Sequence, residues 1–200
     1  MQHLRPAIVL IVLFTALTGI AFPLLFTGVA TTLVPALANG SMIERNGKII
    51  GSRLIGQDFT APGYFHPRPS ATTEPDPKDP SKTIPVPYAA DSSGASNLGP
   101  TSKALIDRVK ADVQKIGVRP QVPADMVTTS ASGLDPDISP ADAMLQVPRV
   151  AKARGLTEAA VQALVAAHTQ GRALGIFGEP RVNVLELNLA LDAAAGAKGR

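Results

Sequence analysis

Few residues in this 200-residue chain have types and spacings that suit chemistry. Cysteine is absent, which excludes disulfides, thiolate metal sites, iron–sulfur clusters and thiol nucleophiles. His3, His66 and His168 stand far apart, without the spacing of metal ligands, so no metal is expected on this chain. Asp135 and Asp137 flank Pro136, and such a carboxylate pair could hold calcium or act as acid and base. A proline turn leading to a helix cap at Ser139 accounts for the same pattern. Ser130 and Ser132 have no neighbouring base to activate a hydroxyl. No G-x-x-x-x-G-K-[ST] loop is present to cradle phosphates, and no Asp lies in an Asp-Lys-Thr-Gly-Thr context that would accept a phosphoryl group. Catalysis by this chain alone is not expected.

Composition narrows the partners. The net charge is only +3 and aromatic residues make up 4%, a poor match to a nucleic-acid surface, so no nucleic acid is expected. Hydrophobic residues reach 45% although charged residues are only 18%, and the excess sits at the start. No charged residue occurs between Arg5 and Glu44. The apolar run over 7–34 would reach about 40 Å as a helix at ~1.5 Å per residue, against a hydrocarbon core of about 30 Å. Tilting, or a kink at Pro23, absorbs the surplus. Ala36-Leu37-Ala38 has the small-x-small look of a signal-peptidase site, but the run is about twice the length of a signal core. The reading is therefore an uncleaved anchor in the lipid bilayer over 1–38, with a periplasmic binding protein released by cleavage at Ala38 as its rival. Thr15, Thr18, Thr27, Thr31 and Thr32 can bond back to the helix, and Gly19, Ala21 and Gly28 allow close approach of a partner helix. The short basic flank at Arg5 favours a cytoplasmic N-terminus, which puts the rest of the chain outside.

The remaining residues, 39–200, read as one α+β domain large enough to build a core. Asn46-Gly47 between two apolar-containing runs predicts a hairpin with a type I′ turn. The proline-rich stretch 72–87 reads as a surface loop. A helix is predicted after Thr101 or Ser102, with Leu105, Ile106, Val109, Val113 and Ile116 as its apolar stripe and Gly117 as its stop. Pro120 and Pro123 open a connection. Ser139-Pro140-Ala141-Asp142 is a helix start running toward Arg154, with Pro148 bending or interrupting it. Thr157 caps the next helix, which buries Val161, Leu164, Val165 and His168 and ends by Gly171. Over 182–191 leucines alternate as in a strand, but the Asn183 and Glu186 capping box and the alanine-rich continuation favour a helix.

Five segments are more distinctive than a generic core requires. They are YFHPRPSA at 64–71, SNLGPTS at 96–102, SASGLDPDISP at 130–140, RVAKARGL at 149–156 and VNVLELN at 182–188. With the N-terminal helix they closely resemble, in order and over nearly the whole chain, the KdpC family: the C subunit of the bacterial Kdp potassium-transporting ATPase.

The resemblance implies a single-span accessory subunit of a high-affinity potassium uptake complex in the bacterial inner membrane. Its implied partners are a potassium-selecting channel-like subunit, a P-type ATPase subunit that is phosphorylated, and a very small membrane subunit. The family's C subunit is described as a catalytic chaperone that raises the ATPase subunit's affinity for ATP. ATP shared with that subunit is the only cofactor implied. Candidate ATP contacts are Ser130, Ser132, Gly133 and Gln146; the bland alternative for the first three is a capped turn before a helix. Candidate interface residues are Tyr64, Arg68, Ser96 and Asn97, carried on proline-framed, loop-borne segments suited to recognition. Arg68 is the favoured anchor, unless its guanidinium caps an internal carbonyl. ATP is cytoplasmic, so an external domain would act on it only through the membrane partners, or else work at the potassium entrance without touching ATP.

Overall fold

The computed structural model describes residues 2–117 and 121–197. Helical backbone runs from Leu4 to Leu33, with none of its residues buried. It comprises α1 (Leu4–Phe14), a π-helical stretch (Thr15–Ala21) and α2 (Phe22–Leu33), followed by the short α3 (Pro35–Ala38). The π-helical stretch has a local cause. Pro23 has no N–H to donate and its ring crowds the carbonyl four residues back, so the ladder widens just before it, and Phe22 N–H reaches Leu17 O. Thr18, Thr31 and Thr32 hydroxyls donate back to Phe14, Thr27 and Gly28 carbonyls at 2.7–2.8 Å. Those polar groups are thus satisfied within the helix, as a lipid environment requires.

Strands β1 (Met42–Arg45) and β2 (Lys48–Ser52) form the expected antiparallel hairpin. Asn46 and Gly47 have φ of 54° and 73°, the left-handed pair that a type I′ turn demands. This hairpin groups with the apolar helix in a compact unit Met1–Ser52, and Arg53–Arg200 forms a second.

The second unit is α+β. The stretch 72–87, expected as a loop, is instead a second antiparallel hairpin of β3 (Thr73–Asp76) and β4 (Asp79–Pro85). In a two-stranded ribbon both strands are edges, so a proline can sit where its missing N–H would have faced solvent. Asp76 Oδ1 accepts from Lys78 N–H at 2.8 Å and shapes the turn.

Helix α4 (Lys103–Ile116) lies where its stripe predicted, yet none of its residues is buried. Pro120 lies outside the described residues, and from Pro123 the chain enters a 3₁₀ turn, Ala124–Met126. Apart from Phe65, the core is built by later elements: β5 (Asp137–Ile138), α5 (Pro140–Arg154), α6 (Glu158–His168), β6 (Thr169–Gln170), β7 (Arg181–Asn183) and α7 (Val184–Ala197). The strands form an antiparallel sheet in the order β5-β7-β6. Ala143, Val147, Val150 and Ala151 repeat at helical spacing on α5 and meet Val161 and Val165 of α6 and Leu187 and Leu191 of α7.

Ser139 caps α5 as expected, its Oγ accepting from Asp142 N–H at 3.0 Å. Pro148 does not end that helix, which continues to a left-handed Gly155 cap. On α6, Val161 and Val165 are buried while Leu164 is only partly so. That helix ends at His168, before Gly171, because Thr169 and Gln170 pair with β7. The 182–191 stretch is divided. Val182 and Asn183 finish β7, then Asn183 Oδ1 accepts from Glu186 N–H at 3.1 Å and opens α7.

Candidate functional site

The segment 62–66 has no regular hydrogen-bond ladder, and side chains from two helices supply one. Asn188 on α7, 1% exposed, accepts from Phe65 N–H at 2.8 Å and donates to Phe65 O at 3.0 Å. Gln146 on α5 does the same for the next residue, accepting from His66 N–H at 2.8 Å and donating to His66 O at 3.0 Å. A primary amide presents a donor and an acceptor side by side, so it can pair with a residue's backbone as a neighbouring strand would. Arg149 donates to Pro62 O and Tyr64 O at 2.7 and 2.9 Å, and Arg154 Nε donates to Gly63 O at 2.6 Å. Arg154 also pairs with Asp192 at 2.8 Å and stacks over the Tyr64 ring, 4.4 Å from its centroid. Phe65 is fully buried as a result.

The chain then passes Pro67 and Pro69 to a second hydrogen-bonded knot. Arg68 Nη1 meets Asp135 Oδ2 at 2.8 Å. Ser70 Oγ donates to Gly133 O at 2.7 Å and accepts from Tyr88 N–H at 3.1 Å. Tyr88 has φ of 60°, a left-handed backbone unusual for an aromatic residue, and its hydroxyl donates to Arg68 O at 2.9 Å. Its ring lies over Gly56, where a Cβ would come within 2.4 Å of it.

Between these knots opens a cleft of about 700 Å³, bordered by His66, Arg68, Tyr88, Asp142, Gln146 and Arg149. Its electrostatics follow from burial. Asp142 is 1% exposed, and desolvation pushes its carboxyl up to about 7, only partly opposed by the hydrogen bond from Gln146 Nε2 at 2.7 Å. Desolvation, then the nearby Arg149 charge, lowers His66. Burial raises the Tyr88 phenol and lowers Arg149. Arg68 Nε is buried and has no hydrogen-bond partner among the described residues.

The structure separates the candidate ATP contacts. Gln146 borders the cleft, whereas Ser130, Ser132 and Gly133 do not. Ser130 Oγ accepts from Gly133 N–H at 2.9 Å and Ser132 Oγ from Leu134 N–H at 3.1 Å, so both hydroxyls close their own turn. Gly133 has φ of +69°, and a Cβ there would approach Gly94 O to 2.6 Å. Gln146 has both amide ends engaged within the chain. As a set, these four residues do not present converging free donors to a nucleotide's phosphates. Asp135 and Asp137 likewise serve local structure. Asp135 Oδ1 accepts from Asp137 N–H at 3.1 Å, and Asp137 pairs with Arg181 at 3.1 Å. Among the described residues, no group of three or more His, Asp or Glu could hold a metal.

The interface candidates are also dispersed. Tyr64 and Arg68 are half-buried in the two knots. Ser96 accepts from Thr129 Oγ1 at 3.5 Å, and only Asn97, with φ of 51°, is exposed. The sequence reading missed Asn188, Arg149, Arg154 and Asp142 as individual actors. The first three lie in segments already singled out as distinctive, and that was the available signal.

The family described as KdpC, K+-transporting ATPase, c chain, matches residues 4–193. The potassium-transporting ATPase KdpC subunit of Methylobacterium nodulans is 63% identical over 199 residues, covering 98% of this chain and 99% of its own length. The subunit of the same name from Bradyrhizobium diazoefficiens is 62% identical over 198 residues, covering 98% of each chain. That from Rhodopseudomonas palustris is 60% identical over 197 residues, covering 97% of this chain and 99% of its own. A match across nearly the full length, running through both backbone-clamping helices and the apolar helix, makes this chain a member of the KdpC family.

Proposed function

We propose that this chain acts as a single-pass structural subunit that raises ATP use by its P-type ATPase partner through the assembly, without itself holding the nucleotide. Membership of the family makes it an accessory subunit of a potassium-transporting ATPase rather than the catalytic one. The proposal goes further. The Leu4–Leu33 helix anchors the chain in the bacterial inner membrane, and the α+β unit lies on the periplasmic side. There it docks on the channel-like subunit near the potassium entrance, beside the ATPase subunit and the small membrane subunit. A gain in ATP affinity, the catalytic-chaperone effect, is then transmitted through those partners.

One observation carries the reading. The polar groups proposed to touch ATP are committed inside the chain: Gln146 to His66 and Asp142, Ser130 and Ser132 to their own turn. A group already hydrogen-bonded in a half-buried setting gains little by exchanging that partner for a phosphate. What the structure offers a partner is rigid, loop-borne surface, which suits docking.

The test is ATPase activity of the complex with and without this chain as ATP is titrated, alongside photolabelling by an azido-ATP probe. The expected result is a lower ATP requirement in the complete complex with label confined to the ATPase subunit. Label on this chain would establish direct contact instead. The chain has no native cysteine, so Ser93→Cys gives a unique site for sidedness labelling on intact cells. Labelling only from the cytoplasmic side would overturn the periplasmic placement.

A further inference from the structure

The loop between β6 and β7 places large apolar side chains in the open. Leu174 is 88% exposed, Ile176 71% and Phe177 64%. Exposed apolar groups scattered singly need no explanation, but these three share one short turn. The turn is well formed. Ala173 N–H bonds Phe177 O at 2.8 Å, Phe177 N–H bonds Ala173 O at 2.9 Å, and Ile176 N–H bonds Ala173 O at 3.1 Å. Gly175 N–H bonds Arg172 O at 3.1 Å. At the base, one Arg172 guanidinium nitrogen donates to both Glu179 oxygens at 2.8 and 2.7 Å. Leu174 adopts φ of 54°, a costly conformation for a branched side chain, and it holds that side chain at the apex.

We infer that this tip, Leu174, Ile176 and Phe177, inserts into the membrane interface and holds the α+β unit against the bilayer. The inference rests on the reading of Leu4–Leu33 as the membrane anchor. Three features favour lipid over a protein pocket. Residues 173–178 carry no side-chain hydrogen-bonding group at all, so the apex can enter the interface without stranding a polar side chain. Four of the turn's amide donors, those of Ala173, Gly175, Ile176 and Phe177, are paired within it, which lowers the penalty for entering the interface. No acidic residue occurs over 159–178, and the nearest, Glu179, is bound to Arg172, so anionic headgroups meet no free carboxylate there. The anchor keeps the tip at high effective concentration near the bilayer, so even shallow burial suffices.

The chain has no tryptophan, which makes the test direct. The full chain carrying Phe177→Trp is reconstituted into vesicles of phosphatidylcholine and phosphatidylglycerol, with and without bromine on the upper acyl chain. Phe14→Trp marks the anchor and Lys82→Trp an exposed position of the β3–β4 hairpin. The expected result is blue-shifted, bromine-quenched emission from Trp at 177 and at 14, and none at 82. Adding Leu174→Asp should abolish the quenching at 177 alone. Quenching at 14 with water-like, unquenched emission at 177 would overturn the tip while leaving the anchor intact. If neither is quenched, both readings fall. If emission at 177 shifts only when partner subunits are added, the tip belongs to a protein interface and the lipid assignment is wrong.

Discussion

Replacing Gln146 with alanine distinguishes a brace from a ligand contact. In the native chain the amide satisfies His66 N–H and His66 O, donates to the Asp142 carboxyl and accepts from Arg149. Its removal leaves two backbone groups of a half-buried segment without their partner, at ~1–3 kcal/mol each. The cleft admits water, which keeps the sum near the lower end, about 2–4 kcal/mol, still a large share of a typical 5–15 kcal/mol. Asn188→Ala supplies an internal comparison. Asn188 makes the same pair of bonds to Phe65 but does not border the cleft, so water cannot replace it as readily and the loss should be larger. Denaturation of the full chain in mild detergent, followed by tyrosine emission, reads both. The chain's two tyrosines, Tyr64 and Tyr88, sit in the two knots, and there is no tryptophan to mask them. If Gln146→Ala costs less than about 1 kcal/mol while the complex needs more ATP, the brace argument is refuted and direct contact is supported.

Asp142 gives a pH prediction. Its buried carboxyl holds a proton up to about 7, against an ordinary 3.8, so the folded chain binds a proton that the unfolded chain has released across that window. Stability therefore falls as pH rises from about 4 to about 7, by at most about 4 kcal/mol at ~1.36 kcal/mol per pH unit. Asp142→Asn should be more stable than the parent above that window and no better below it. The lowered His66 acts oppositely, losing stability as pH falls through 6.5, but it is common to both proteins and cancels in the difference. Parallel melting curves at every pH would sink this argument. Arg68→Ala should lower the melting temperature, losing about 1–3 kcal/mol with the part-buried Asp135 pair. Unchanged melting with weakened pull-down of the complex would make Arg68 an interface anchor instead. Gly133→Ala combines a left-handed φ with a Cβ at 2.6 Å from Gly94 O, and should cost more than about 2 kcal/mol by the same melt, whereas a near-neutral result would mean that the 93–94 segment yields easily.

Several features were set by the sequence alone because their physics is local. The long apolar helix follows from a run without charged residues, the β1–β2 turn from Asn46-Gly47, the start of α5 from a serine, a proline and an aspartate within four positions, and α4 from its apolar period. Each depends on contacts within a turn or two of helix or strand. Even the widening of the ladder before Pro23 is local chemistry. Tertiary structure decided the rest. Gln146 lies 80 residues from His66 and Asn188 lies 123 from Phe65, so no spacing rule could reveal that two amides act as a strand for segment 62–66. Asp142 looks like an ordinary first-turn acid, and only packing makes it a group that titrates near neutrality. The stripe of α4 is the clearest in the sequence, yet it is not buried, because periodicity says which face is apolar and not what covers it. The prolines of 73–85 read as breakers, but pairing with a single neighbour left room for them. The 174–177 apex has the composition of a core segment, yet the closed turn between Arg172 and Glu179 leaves Leu174, Ile176 and Phe177 exposed.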